Sequence, residues 1–332
     1  MIPTPIPRPF MDRFSERVSE LTSTERVEGS HVRGLFREVA KRHTEEEAEE
    51  VFGVGLSATT PSINEVATTL PAPWVFTRLL GFLGIAFVAI WLGWKQWQAP
   101  NLLPGVILLG SFAAPMAICV FFFECNAPRN VSLFAIVRMF VWGGVLSLIA
   151  TFVLHSFAGD WDDRIGAPFA GLTEEPAKLA AVVLLGSLPR YRWTLNGMCL
   201  GAAVGAGFAA FESAGFAMQI LLAGGDDRMI ENIAVRGVLA PLAHVVWTAI
   251  SAGALWRVKG GRPFEFRMLF ERRCLAPVVT VMILHALWNS EIPAWFPSAS
   301  GYAILGVVAW TIVIGMLLGG LREVREATPV RP

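Results

Sequence analysis

Eight apolar stretches, each close to the ~20 residues needed to cross a hydrocarbon core, leave this 332-residue chain few ways to fold. They run at about 76–94, 102–123, 133–155, 165–188, 196–222, 235–256, 274–291 and 301–320. In lipid a backbone must satisfy its own N–H and C=O groups, so such stretches become helices. The predicted fold class is therefore all-α: a polytopic membrane protein of about eight transmembrane helices. The charged residues, 16% of the chain, are too few to cover a soluble protein this apolar. Twelve Trp and 23 Phe suit a lipid-facing surface, and 31 Gly allow helices to pack closely. The zero net charge argues against nucleic acid as a partner. Cys119, Cys125, Cys199 and Cys274 are scattered without a CxxC pair, so they read as small apolar helix residues and not as a disulfide framework.

The first 73 residues contain no spanning window. Pro3, Pro5, Pro7 and Pro9 favour an extended end without the apolar core of a signal peptide. "MDRFSERVSEL" and "VRGLFREVAKR" then show helical periodicity, and Thr44 with Glu47 forms a capping-box pattern ahead of "EEEAEEVF". Residues 1–73 read as a cytoplasmic helical segment, a solvated appendage able to bind a cytoplasmic regulator, and residues 322–332 as a cytoplasmic tail. Loop charges set the orientation. Arg129, then Arg190 and Arg192, then a run from Arg257 to Arg273 follow the second, fourth and sixth spans, while the alternate loops are poorer in basic residues. The positive-inside rule then places both termini in the cytoplasm.

Ions inside spans are expensive, and each marks a functional site unless paired or hydrated. "GLTEEPAKLAAVVLLG" puts Glu174, Glu175 and Lys178 inside the fourth span. Glu174–Lys178 is an i,i+4 pair and Glu175–Lys178 an i,i+3 pair, so the lysine can neutralise one carboxylate and leave the other as a general base for water. Pro176 lacks an N–H for the carbonyl of Leu172 and is a candidate kink. Glu212 lies in the fifth span, His244 in the sixth, and His285 with Asn289 in the seventh. The last two, again i,i+4, form a donor pair suited to an oxyanion. With the topology above, these groups fall at one level between the midplane and the outer half. Gly201, Gly205, Gly207 and Gly215 allow the close helix approach that would assemble them. Glu124 and Asn126, at the cytoplasmic end of the second span, read as a boundary cluster.

At these residues the chain resembles the PrsW family of intramembrane proteases, within the wider group that includes the CAAX prenyl endopeptidases. The pattern is Glu-Glu-x-x-Lys at 174–178, Phe-x-x-x-Glu at 208–212, His244, and His-x-x-x-Asn at 285–289, over about residues 100–320. The resemblance implies a membrane-embedded protease domain over residues 74–321. In it Glu174 would activate water, Glu175 would support it, and His285 with Asn289 would hold the oxyanion. Glu212 and His244 complete the expected catalytic set, with Lys178 and Phe208 supporting. Glu212 stands where the CAAX branch has a histidine, which argues for the PrsW branch and against prenylated substrates. HExxH is absent, so metal-free catalysis is the preferred expectation. Zinc on His244, His285, Glu174 and Glu212 is the alternative cofactor arrangement.

The implied partners are the lipid bilayer and a membrane-protein substrate such as an anti-sigma factor, in a bacterial cytoplasmic membrane. A proton-coupled transporter could use the same residues as a relay, but no inverted repeat is evident. An inactive scaffold would not need every position of the pattern filled. Reporter fusions after Arg192 and Arg262 should read cytoplasmic, and fusions after Asp162 and Asp227 external. If the 160s and 190s loops report the same side, the expected topology fails.

Overall fold

The computed structural model describes residues 35–67, 69, 71–297 and 299–328. Among them every regular element is helical. A short α1 (Glu45–Phe52) precedes α2 (Val75–Trp97) and α3 (Leu103–Glu124). α4 (Leu133–Arg138) continues through a π-helical turn, Met139–Gly143, into α5 (Gly144–Ser156). Then follow α6 (Trp161–Ile165), α7 (Ala170–Gly186), α8 (Thr194–Leu222), α9 (Asp226–Leu239), α10 (His244–Lys259), α11 (Arg272–Trp288) and α12 (Ser300–Ala327).

Among the described residues six stretches, rather than the expected eight, are both long and apolar enough to cross a membrane: Val75–Trp97, Pro100–Glu124, Leu133–Ser156, Thr194–Leu222, Asp226–Lys259 and Ser300–Ala327. The other two candidates are α7 and α11, each of 17 residues. At 1.5 Å per residue each is about 26 Å long, short of a ~30 Å hydrocarbon core. α7 starts late because Gly166 (φ +71°) and the 3₁₀ turn Ala167–Phe169 use up the residues before it. α11 stops at Trp288, with Asn289 as its C-cap. Pro176 lies inside α7 without ending the helix.

α8 is the axis of the bundle, buried from Thr194 to Ala210 and packed against α3, α5, α10 and α12. Its glycines permit this. A Cβ on Gly201 or Gly205 would sit 2.5 Å from the carbonyl of Thr248 or His244 on α10. On the opposite side, a Cβ on Gly207 would meet the Phe140 carbonyl in the π-helical turn. The spacing expected to bring helices together does so at these three positions, whereas Gly215 has nothing within 4 Å of its Cβ position. α2, with only Val75 and Trp94 buried, lies on the outside.

The described part of the N-terminal segment is bound to helix ends instead of standing free in solvent. Leu35 is buried, Phe36 stacks on Phe121, Phe52 on Phe123, and His43 on Trp74 at 3.7 Å. Arg129 donates to the Glu50 carbonyl at 3.2 Å. The predicted capping box is present: Glu47 N donates to Thr44 Oγ1, and Thr44 N to the Glu47 carboxylate. The helical expectation for 11–21 lies outside the described residues, and the described part of 32–42 is mostly turn. Glu124 accepts from the backbone N–H groups of Trp74, Val75 and Phe76 at 2.8–3.0 Å, capping α2. Asn126 joins Asn130 and Asn196 in a side-chain network. All four cysteines are free and buried.

The tight crossing at Gly207 yields a prediction. Gly207→Ala should destabilise the purified protein by about 1–3 kcal/mol, because backbone must move to admit the methyl group. Gly215→Ala should be neutral or stabilising. Thermal unfolding in detergent compares the two, and equal behaviour would contradict the close approach.

Candidate active site

α7 lies against α5, α8, α10 and α11, so the charges it carries face protein. Lys178 is fully buried and Glu175 is 1% exposed. Burying such ions is tolerable only when they are paired. The Lys178 ammonium is 2.6 Å from Glu175 and 3.5 Å from Glu174. It also sits 4.4 Å from the centre of the Phe208 ring, whose face attracts cations. Gly171 lets α7 approach the backbone of α11 at Met282 and Ala286, which carries His285 to Glu175.

The histidines are oriented by their partners. His285 Nδ1 is 2.8 Å from Glu175 Oε1. A carboxylate only accepts, so Nδ1 carries the proton and Nε2 is left as a lone pair. His244 Nδ1 lies 3.0 Å from the Lys178 ammonium, which only donates, so the proton of this ring sits on Nε2. That nitrogen is 3.3 Å from Glu212 Oε2. Glu212 in turn pairs with Arg236, whose Nε donates to Ser213 Oγ at 2.7 Å and whose guanidinium lies over the Phe216 ring. Trp247 closes the far side, its ring 4.7 Å from that of His285.

Two acceptors, Glu174 Oε2 and His285 Nε2, therefore face one space beside His244 Nδ1, whose lone pair is engaged by Lys178. Glu174 Oε2 is buried and has no hydrogen-bond partner. It lies 3.9 Å from His244 Nδ1 and 3.8 Å from His285 Nε2. Glu174, Glu175, His244 and His285 each offer a ligand atom, all within 4.8 Å of one another. The residue types suit a divalent metal such as zinc, but the Lys178 ammonium already engages His244 Nδ1 and both carboxylates, and a metal on these donors would have to displace it. Each imidazole presents one nitrogen while its other ring nitrogen faces a carboxylate, the arrangement that orients metal-binding histidines.

Most residues singled out in the sequence are thus brought together: Glu174, Glu175, Lys178, His244 and His285 directly, Glu212 behind His244, and Phe208 beneath Lys178. Asn289 is not among them. Its Nδ2 donates to the Ala167 carbonyl at 3.3 Å. The groups also lie nearer helix ends than the expected spans implied. His244 opens α10 and Glu174 is the fifth residue of α7, because the 3₁₀ turn Ala240–Leu242 and the late start of α7 shorten what precedes them. Arg236 and Trp247 were missed. An arginine about two turns before His244 in "IAVRGVLAPLAH" is the signal in the sequence that could have found Arg236.

Apolar helices enclosing carboxylates, imidazoles and an ammonium define an integral membrane protein with a polar reaction centre built inside its bundle. The family model of the PrsW family intramembrane metalloproteases matches residues 132–317, more than half of the chain, and the protein belongs to that family. The match runs from α4 into α12 and contains every residue of the cluster, while α2, α3 and the N-terminal segment precede it. No curated protein and no solved structure matches the chain. The protein is accordingly an intramembrane protease.

The ion pairing can be tested without a substrate. Lys178→Met leaves Glu175 buried and uncompensated and should destabilise the protein by about 3–5 kcal/mol. Adding Glu175→Gln should recover most of that loss. Thermal unfolding of both variants is the measurement, and a single variant as stable as the parent would refute the pairing.

Proposed function

We propose that this protease hydrolyses a peptide bond of a single-span or membrane-adjacent protein, such as an anti-sigma factor, with Glu174 as the base that activates water. The setting is a bacterial cytoplasmic membrane, with residues 1–73 and 322–332 on the cytoplasmic side and the cut on the opposite side. The observation that carries the assignment is the charge balance. Lys178 is closest to Glu175 and Arg236 pairs with Glu212, so Glu174 is the one carboxylate of the three without a cation of its own. Its unpartnered Oε2 is where a water would be held.

Glu174 takes the proton of that water as oxygen attacks the scissile carbonyl. The lone pair on His285 Nε2, 3.8 Å away, receives the proton and returns it to the leaving amine. Glu175 supports this by holding His285 Nδ1–H and carrying the charge that develops on the ring. Asn289, held by the Ala167 carbonyl and outside the cluster, is given no step in this reading. In the alternative, zinc-dependent reading Glu174, His244 and His285 would hold the metal in place of their contacts with Lys178, with Glu212 and Glu175 orienting the rings, and His285 Nε2 would then not carry the proton. A bound zinc ion would supply Lewis acidity to the same carbonyl.

Co-expression with candidate single-span proteins tests the assignment. Glu174→Gln keeps the shape but cannot accept the proton, and should lower turnover by about 10²–10⁴-fold while crosslinking to substrate persists. An active Glu174→Gln enzyme would sink the mechanism. Metal analysis of the same preparations divides the roles. One zinc per chain, lost in His285→Ala, assigns the donors to a metal. An active preparation free of zinc assigns the positive charge to Lys178 alone.

A further inference from the structure

Arg236 is the cationic group that the mechanism above leaves without a role beyond charge balance. It projects from α9, a helix that precedes the 3₁₀ turn Ala240–Leu242, and its fork grips one turn of α8: Nη2 on Glu212, Nε on Ser213, and the guanidinium plane over Phe216 at 4.8 Å. One nitrogen, Nη2, reaches Glu212, while the Nε bond to Ser213 and the stack on Phe216 hold the guanidinium still, so the point to which Glu212 Oε2 is tied is fixed. Glu212 Oε2 then faces His244 Nε2 at 3.3 Å. His244 itself opens α10 directly after that turn, and Trp310 of α12 pins the turn by donating to the Pro241 carbonyl at 2.8 Å. Backbone and guanidinium thus hold the two ends of one imidazole.

We propose that Arg236 is a positioning residue for the reaction centre: by holding Glu212 it locks the His244 ring in its Nε2–H tautomer, with Nδ1 turned to Lys178 and Glu174. The physical argument is one of alternatives. An imidazole whose Nδ1 carried the proton would set that N–H against the Lys178 ammonium 3.0 Å away and turn its lone pair to the Glu212 carboxylate. A fixed Glu212 makes that arrangement repulsive at both ends. A Glu212 released from Arg236 could swing away from the ring, and only Lys178 would then restrain it. The pairing points the same way. Five ionisable groups meet here, Glu174, Glu175, Glu212, Lys178 and Arg236, so removing Arg236 leaves three carboxyl groups beside one lysine.

The catalytic part of this inference rests on the proposed function; the tautomer does not. Nitrogen NMR of the full-length protein in detergent, labelled with ¹⁵N-histidine, reads the ring directly, with the His244 signals assigned by their loss in His244→Gln. The parent protein should show an unprotonated Nδ1 and a protonated Nε2. Arg236→Gln should convert these to the averaged signals of mixed tautomers and lower kcat about 10–100-fold, as loss of a partner behind a site histidine does, with KM within about twofold. Arg236→Lys keeps the charge and should restore part of both. Glu212→Gln should reproduce the effect, and the double variant should be no worse than either single one, because both break one chain of contacts. Unchanged His244 signals in a folded Arg236→Gln protein would overturn the proposal, and so would additive losses in the double variant. If Arg236→Gln does not fold, Arg236→Lys and Glu212→Gln carry the same comparison. Absence of cleavage by the parent enzyme, with the tautomer shift intact, would count against the proposed function and not against the role of Arg236.

Discussion

The constraint on which the site depends is charge neutrality inside an apolar bundle. Three glutamates stand in or beside one cluster, and a buried ion without a partner costs several kcal/mol. Two cations answer them from different helices: Lys178 from within α7 and Arg236 from α9. Glu174 and Glu175 each keep one buried oxygen without a hydrogen-bond partner, but Lys178 lies nearer Glu175, at 2.6 Å against 3.5 Å. Glu174, which shares Lys178 at 3.5 Å, is the least compensated of the three.

Close packing delivers those charges to one another. α8 can serve as the axis because three of its glycines let α10 and the π-helical turn approach to backbone contact. That approach sets Phe208 beneath Lys178 and leaves the ring of His244 beside it. The break before α10 does the rest. Pro241 cannot continue the hydrogen-bond ladder, so the chain turns and His244 becomes a helix-terminal residue aimed at α7. α7 and α11, each of 17 residues, carry the doubled glutamate and His285. Their polar residues need not sit as deep as a full span would force them.

At the far ends of these helices the described N-terminal residues act as a strap. Aromatic stacking of Phe36, Phe52 and His43, and the Glu124 carboxylate on the first N–H groups of α2, tie residues 35–76 to the end of α3. The negative carboxylate also answers the positive end of the α2 dipole. A segment that composition marks as polar and separate is therefore joined to the membrane helices through a few large rings.

What was legible in the sequence is what local geometry fixes. Apolar runs near spanning length define helices because lipid offers the backbone no other partner. Thr44 and Glu47 cap a helix, and Glu174 and Glu175 meet Lys178, because three or four residues make one helical turn. Only the tertiary structure decided the rest. Lys178 meets His244 across 66 residues, His285 meets Glu175 across 110, and Arg236 meets Glu212 across 24. Asn289, one turn from His285 in sequence, went instead to a carbonyl of the 3₁₀ turn before α7. Periodicity names the residues on one helix face. Which carboxylate keeps a cation, which nitrogen of a histidine holds the proton, and which helix ends short depend on how faces from different helices pack, and no spacing along the chain encodes that.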